Sequence, residues 1–286
     1  MNTISAVSLH KCSGFRLAIL LLLCCLSCTR VLKADLETIA GQWNTHMDAR
    51  DYESALDVYA SAALRYPDDR ELQEQYIRSA DVLKDLGDKE YGKGEFGQAE
   101  RIYRALLDAY RGLERLAVKP SFTRADLQER LTLARIRSAE VAAKEYFSRG
   151  DYRKGLDIYK NAYRKFGKAP HFLKTYAVVV EEAKQSADQA LAQEDFVRSG
   201  RICRALLSNF SSFAPFVKTL SFTRQSLMTH ISRCSSSLTG KGLELYRQGR
   251  ISEAIAVWES ILVFDDNPDI RRTIGTASEQ LKKLQR

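Results

Sequence analysis

The chain repeats itself at an interval of one hundred residues, and this duplication limits its possible folds more than any other feature. The tetrapeptide SFTR occupies Ser121–Arg124 and occurs again at Ser221–Arg224. The heptapeptide RIYRALL begins at Arg101, and its counterpart RICRALL begins at Arg201. Self-similarity at a fixed interval is typical of proteins in which one supersecondary unit stacks on the next. The duplication therefore predicts an array of repeated units.

Each hundred residues contains two smaller units, and a fifth unit follows the second hundred. The composition is rich in Ala, Leu, Arg, Lys, Glu and Gln and poor in proline, which favours helix and gives no support to a β-rich fold. In the first unit, apolar residues recur at three- and four-residue steps, as on one face of a helix. We therefore predict an all-α chain of helical hairpins. The second helices of the five units begin at Tyr52, Phe96, Tyr152, Phe196 and Ile251.

The turn between the two helices of a unit has its own signal. Gly94, Gly150 and Gly249 stand where the first helix is expected to end. Glycine adopts the left-handed backbone conformation that stops a helix at little steric cost. Arg50 and Glu194 hold the same place in the other two units. The sequence therefore predicts that those two turns close in a different way.

Capping residues mark the start of two long helices. Thr123 and Thr223 follow the repeated Ser-Phe pair, and a threonine at this place can accept a hydrogen bond from the first turn of a helix. Asp126 is a candidate capping-box partner of Thr123. We expect helices over about 124–148 and 224–248.

The last segment has the pattern of a terminal helix. Asn267 and Pro268 form a cap and a first-turn proline. One apolar stripe and a polar opposite face follow, as a helix needs when it covers the end of a stack of repeats. We predict a capping helix over 269–285.

These patterns together resemble the tetratricopeptide repeat. Within the second helix the resemblance rests on the order alanine, aromatic, alanine and proline; within the first helix it rests on one small residue. It covers residues 36–286 and is weaker in the fourth unit, where Ser199 and Cys203 replace the alanine and the aromatic residue. It implies a right-handed superhelical solenoid of about five hairpins with long helices and a C-terminal capping helix. The matching small residues are Gly87, Ala143, Ala187 and Gly242, and Trp43 holds this place in the first unit.

The N-terminal residues differ from the rest of the chain. Lys11 and Arg16 precede the apolar run Leu17–Cys25, and Ser27 stands before Cys28. A basic segment, a short apolar segment and a small residue before a cut site describe a secretory signal. The apolar run is shorter than the roughly 20 residues that a membrane-spanning helix needs.

This signal resembles that of bacterial lipoproteins, in which a cysteine after a small residue becomes the diacylated first residue. The resemblance implies a signal over 1–27, lipidation at Cys28 and a tether over 28–35. Because Thr29 is not acidic, it also implies export to the periplasmic face of the outer membrane. The residues before Ser27 depart from the usual aliphatic-then-small pattern, so the cut position stays open, and plain secretion is the alternative.

The rest of the chain carries few signals of chemistry. After Cys28 there is no His-Glu-x-x-His, Cys-x-x-Cys or Gly-x-Ser-x-Gly pattern, and we predict no catalytic residue, metal site or cofactor. The net charge is +8, but basic and acidic residues alternate, which argues against nucleic acid. An exported protein could bridge Cys203 to Cys234, but their positions in helical patterns favour two buried thiols.

The resemblance places a partner-binding face on the first helix of each unit. Projecting those helices puts charges of both signs and several apolar side chains on that face. Such a surface suits an amphipathic helix or an extended peptide, held by a few anchors within a polar rim. The predicted groove residues are Asn44, Met47, Lys84, Asp88, Tyr91, Glu140, Lys144, Phe147, Lys184, Asp188, Leu191, Leu243 and Arg247.

These features favour a non-catalytic adaptor that is tethered to the membrane by its lipid and binds a protein of the cell envelope. Two alternatives stay open. One is an accessory lipoprotein of a solute transport system that binds a periplasmic protein or a small ligand. The other is a factor in outer-membrane assembly or one associated with the cell wall.

Overall fold

The computed structural model describes residues 35–167 and 170–285. Within them the chain forms eleven α-helices and two short 3-10 helices, and it forms no strand, which confirms the all-α prediction. The helices are α1 (35–48), α2 (Tyr52–Arg65), α3 (Arg70–Gly92), α4 (Phe96–Leu113), α5 (Arg124–Ser148), α6 (Tyr152–Phe166), α7 (Pro170–Ala192), α8 (Phe196–Asn209), α9 (Arg224–Arg247), α10 (Ile251–Leu262) and α11 (Pro268–Leu284). The 3-10 helices are Phe210–Phe213 and Val217–Thr219.

The predicted signal, the lipidation candidate Cys28 and the tether up to residue 34 lie outside the described residues. Among the helices that are described, none has both the length and the apolar character needed to cross a bilayer.

The chain divides into two compact units, the first up to Arg135 and the second from Ile136. In unit 1, α2 packs on α3 and α4, and α3 packs on α4. In unit 2, consecutive helices from α6 to α11 pack on each other, and α6 also packs on α8. The core of unit 1 includes Leu56, Tyr76, Leu83, Tyr103 and Leu106, and that of unit 2 includes Phe172, Tyr176, Cys203, Leu227 and Trp258.

In two hairpins a glycine of the first helix lies directly against a ring of the second helix. A Cβ atom on Gly87 of α3 would lie 2.8 Å from Cε1 of Tyr103 in α4. A Cβ atom on Gly242 of α9 would lie 2.2 Å from Nε1 of Trp258 in α10. Both separations are too short for a carbon atom, so these positions require glycine for close packing rather than for backbone freedom.

All five turns within the hairpins close in the same way, and the prediction that two of them differ is wrong. Arg50 and Glu194 adopt positive φ angles of 56° and 59°, beside 84°, 76° and 77° at Gly94, Gly150 and Gly249. In each turn the residue with positive φ donates its N–H to the carbonyl three residues earlier. The next residue donates to the carbonyl five residues before it, completing a Schellman motif. These two hydrogen bonds hold Arg50 and Glu194 in a conformation that a side chain disfavours.

We expect Glu194→Gly to stabilise the protein by about 1 kcal/mol, because it removes the cost of a left-handed side-chain residue, about 1–2 kcal/mol. The larger conformational entropy that glycine loses on folding offsets part of this gain. Glu182→Gly, the same change at an exposed position inside α7, should destabilise by roughly 0.5–1 kcal/mol. Denaturant titrations followed by circular dichroism measure both. Destabilisation by Glu194→Gly equal to that of the control would contradict the strained turn.

The predicted caps of the two long helices are confirmed. Thr123 and Asp126 form a reciprocal pair: the Asp126 N–H donates to Thr123 Oγ1 over 3.1 Å, and the Thr123 N–H donates to Asp126 Oδ2 over 2.9 Å. Thr223 and Ser226 form the same capping box before α9. Asn267 caps α11, with Pro268 in its first turn. Local side-chain chemistry therefore sets where these helices begin.

The serine of each SFTR motif joins its loop to a helix forty residues earlier. The N–H and hydroxyl of Ser121 donate to Asp81 Oδ1 over 3.0 and 2.7 Å. One hundred residues on, the N–H and hydroxyl of Ser221 donate to Glu181 over 2.6 Å each. The phenylalanine after each serine is buried. In each SFTR motif the serine therefore hydrogen-bonds to an earlier helix, the phenylalanine packs in the core, and the threonine caps the next helix.

Candidate functional site

The residues assigned to the partner-binding groove divide between the two units, and they differ in exposure. In unit 1, Asn44 is exposed, whereas Met47, Lys84, Asp88 and Tyr91 are half-buried. In unit 2, Lys144, Asp188, Leu243 and Arg247 are exposed; Phe147, Lys184 and Leu191 are half-buried; and Glu140 is buried.

Two of the predicted apolar anchors contact rings of their own hairpin. The ring of Tyr91 stands edge-on to that of Phe96, with centroids 5.2 Å apart. The ring of Phe147 lies 5.6 Å from that of Tyr152. These aromatic pairs stabilise the hairpin turns. The exposed apolar side chain among the predicted groove residues is Leu243, which is 41% exposed.

Charged groove residues of unit 1 meet in a partly buried network. The Tyr103 hydroxyl donates to Asp88 Oδ1 over 2.6 Å, Lys84 Nζ lies 2.8 Å from Asp88 Oδ2, and an Arg130 nitrogen lies 3.5 Å from Oδ1. Burial acts to raise the pKa of Asp88, but the bonds from Lys84 and Tyr103 and the charge of Arg130 outweigh it, so this pKa is lowered. Asp88 therefore stays ionised and ties α3 to α4 and α5.

The counterpart in unit 2 contains different residues. Lys184 Nζ lies 2.5 Å from Asp188 Oδ1, as in unit 1, but position 203 is a cysteine and cannot supply the phenol. His230 takes the place of Arg130, and its Nε2 lies 2.7 Å from Oγ of Ser199. The His230 imidazole therefore connects α9 to α8, whereas in the first copy the Tyr103 hydroxyl connects α4 to α3.

A serine, a histidine and an aspartate in contact, here Ser199, His230 and Asp188, resemble the catalytic triad of hydrolases. In such a triad the histidine activates the serine as a nucleophile. However, Ser199 is fully buried, and its hydroxyl donates to the Ala187 carbonyl over 2.8 Å. Because a hydroxyl has one hydrogen, the contact with His230 is then an Nε2–H donating to Oγ, which is the wrong tautomer for a general base. Nδ1 lies 3.6 Å from Asp188, beyond a good hydrogen bond. In this arrangement the three residues connect helices.

The surroundings of this cluster keep the imidazole of His230 and the thiols of Cys203 and Cys234 neutral. Burial, together with the charge of Lys184, lowers the pKa of His230 against the opposing effect of Asp188. Burial raises the pKa of Cys203 to about 12 and also raises that of Cys234. Both cysteines are buried free thiols, in agreement with the sequence prediction. Thiols with such pKa values are poor nucleophiles.

The sequence contains a signal for this cluster that motif searching misses. Alignment at the one-hundred-residue offset sets Ser199 against Ala99, Cys203 against Tyr103 and His230 against Arg130. The three positions at which the copies differ therefore lie close together in the fold. A search for short motifs cannot find them, because 31 residues separate Ser199 from His230.

Over the described ranges, no cluster of three or more His, Cys, Asp or Glu side chains is arranged to hold a metal ion. No protein-family model matches the chain. A search of curated proteins also gives no significant match. The geometry of the chain itself is therefore the basis for any functional conclusion.

Proposed function

We propose that the chain is a non-catalytic adaptor of the bacterial cell envelope, built as a solenoid of tetratricopeptide-type hairpins. The observation that supports this most is the common hairpin design: five hairpins share one Schellman turn. In tetratricopeptide proteins, hairpins of this kind stack in one direction and present their first helices to a partner. Such surfaces serve binding more often than chemistry.

The register of small and large residues supports the same assignment. In every unit sixteen residues separate a position on the first helix from its counterpart on the second, and the two positions face each other in the first, second and fifth units. In the first unit both positions hold rings, whose centroids are 5.5 Å apart and stand edge-on. The pairs are Trp43 and Tyr59, Gly87 and Tyr103, Ala143 and Tyr159, Ala187 and Cys203, and Gly242 and Trp258.

The exposed residues of the first helices in unit 2 suit a helical or extended peptide. Lys144 and Arg247 offer positive charge, Asp188 offers negative charge, and Leu243 offers an apolar contact. A few apolar contacts within a polar rim are typical of peptide-binding surfaces. The adaptor is therefore expected to hold a segment of a partner protein rather than a nucleic acid.

The proposal includes a lipid anchor at Cys28, on the resemblance of residues 1–27 to a lipoprotein signal. Two or more acyl chains hold a protein stably at a membrane, whereas one gives weak binding. Such an anchor raises the effective concentration of the adaptor for partners at the same membrane.

Site-specific photo-crosslinking of the full chain in intact cells tests the adaptor function. A photoreactive residue at Lys144 or Leu243, both exposed on first helices, is expected to capture the same discrete partner band. The matched control is Arg164, an exposed residue of the second helix α6. Equal capture at all three positions, or none at the first two, would contradict partner binding by the first helices.

A further inference from the structure

A cleft in unit 1 has the dimensions of a small-molecule site. It lies between the second half of α2, the first half of α3 and the end of α4, and its volume is about 550 Å³. Sites for small organic molecules are commonly of this size and mostly apolar. The apolar walls are formed by Ala60, Ala63, Leu64, Pro67 and Leu116.

The inner wall of the cleft carries a buried hydroxyl without a partner. Tyr76 is 2% exposed, and its hydroxyl oxygen makes no hydrogen bond with the described residues. The neighbouring amide of Gln73 is already used: its nitrogen donates to the Pro67 carbonyl over 2.6 Å, and its oxygen accepts from the Ala117 N–H over 3.1 Å. Buried polar groups in proteins nearly always have partners, so this one calls for an explanation.

The second copy of the duplication shows what completes such a site. Tyr176, one hundred residues after Tyr76, is also buried, but its hydroxyl pairs with Ser212 Oγ over 2.9 Å. The ring of Phe216 stands edge-on to that of Tyr176, with centroids 5.2 Å apart.

The first copy has smaller residues at both of these places. Gly112 corresponds to Ser212, and Leu116 corresponds to Phe216. A Cβ atom on Gly112 would lie 3.8 Å from the Tyr76 hydroxyl, so the two positions face each other here as well. Unit 2 thus provides its tyrosine with a hydroxyl partner and a packing ring that unit 1 lacks.

The rim of the cleft is basic. Arg111 and Arg115 lie four residues apart along the chain and are exposed, and neither forms an ion pair with the residues that the structure describes. Burial raises the pKa of Tyr76 to about 12, so its hydroxyl keeps its proton and can donate it. A hydroxyl donor and two cations around apolar walls suit a ligand with an acceptor oxygen, a negative charge and a compact apolar body.

We propose that the Tyr76 cleft binds a small carboxylic acid with an aryl or branched-alkyl body. The ligand's apolar group packs against Leu116, which stands where the larger Phe216 stands in the second copy, and an oxygen of the ligand accepts the hydrogen bond that Ser212 receives there. Arg111 and Arg115 balance the carboxylate charge. The Tyr76 hydroxyl is covered in the structure, so a side chain that lines the cleft moves when the ligand binds. This proposal is independent of partner binding by the first helices.

Ligand-observed NMR and calorimetry on the full chain test the site with two acids, phenylacetate and 4-methylvalerate. Phenylacetamide, the uncharged analogue of phenylacetate, is the control ligand. We expect millimolar or tighter binding of the acids, which is the range of fragments this small, and at least tenfold weaker binding of the amide. Tyr76→Phe should weaken acid binding about tenfold or more, because it removes a hydrogen bond to a charged group.

Two further variants separate binding from folding. Gly112→Ser introduces the serine of the second copy, so it should raise the melting temperature by pairing with Tyr76 and should abolish binding of the acids. Tyr176→Phe should lower the melting temperature, because it breaks the pair with Ser212, and should leave the affinity unchanged. Failure of both acids to bind the unaltered chain at millimolar concentration, or equal affinity for the Gly112→Ser variant, would overturn the proposal.

Discussion

Replacing Gly242 by alanine is expected to destabilise unit 2 by about 2 kcal/mol, although alanine is normally the better helix former by about 1 kcal/mol. The new methyl carbon would lie 2.2 Å from Nε1 of Trp258, which must then move. That movement would also strain the hydrogen bond from Trp258 Nε1 to the Thr239 carbonyl, which is 3.3 Å long. The clash and the weakened bond together outweigh the gain in helix propensity.

The same helix provides the control. Gly240, two residues earlier in α9, is exposed and has no atom within 4 Å of an added Cβ. Gly240→Ala should therefore stabilise the protein by about 1 kcal/mol, through helix propensity alone. Urea titrations of the full chain, followed by circular dichroism and by the fluorescence of its two tryptophans, Trp43 and Trp258, compare the two variants. Equal stabilisation by both alanine substitutions would contradict the close approach of α9 and α10 at Gly242.

Replacing Cys28 by serine is expected to abolish both acylation and membrane retention. Serine lacks the thiol that carries the first lipid in the proposed anchor, and without two or more acyl chains stable membrane binding is lost. Metabolic labelling with an alkyne fatty acid, followed by membrane fractionation, measures both effects. No helix of the described residues includes position 28, so the helical signal of those residues in circular dichroism should not change.

Cys25→Ser is the matched control, because Cys25 lies three residues before the proposed first residue and should be removed with the signal. This variant should keep both the acyl label and the membrane fraction. Retention of the label by Cys28→Ser, or its loss in Cys25→Ser alone, would contradict lipidation at Cys28.

Helix positions were largely predictable because their signals are local. Thr123 with Asp126 and Asn267 with Pro268 each place a cap and its partner within three residues, and the helices begin where these pairs predict. The turn at Glu194 was mispredicted for a related reason. Glycine is preferred where φ is positive, but the preference is worth only about 1–2 kcal/mol, and the paired hydrogen bonds of the turn can hold a glutamate there.

Polar networks could not be predicted in the same way. The sequence places Lys184 and Asp188 on the predicted groove face, and the structure adds an ion pair between them and sets His230 of another helix 3.6 Å from Asp188. The sequence gives no local indication that Ser199 and His230 meet, since their contact depends on the packing of α8 against α9. The duplication offers the only indirect signal, through the positions at which the copies differ.

The sequence by itself determined the all-α class, the starts of the second helices and the limits of the helices that carry caps, because each of these depends on periodicity and caps within a few residues. Only the tertiary structure decided that Tyr76 keeps an unpaired hydroxyl while Tyr176 pairs with Ser212. Such differences arise where side chains from helices about forty residues apart meet at a few ångströms. At that distance the presence or absence of one hydroxyl or one ring decides whether a space is filled or open.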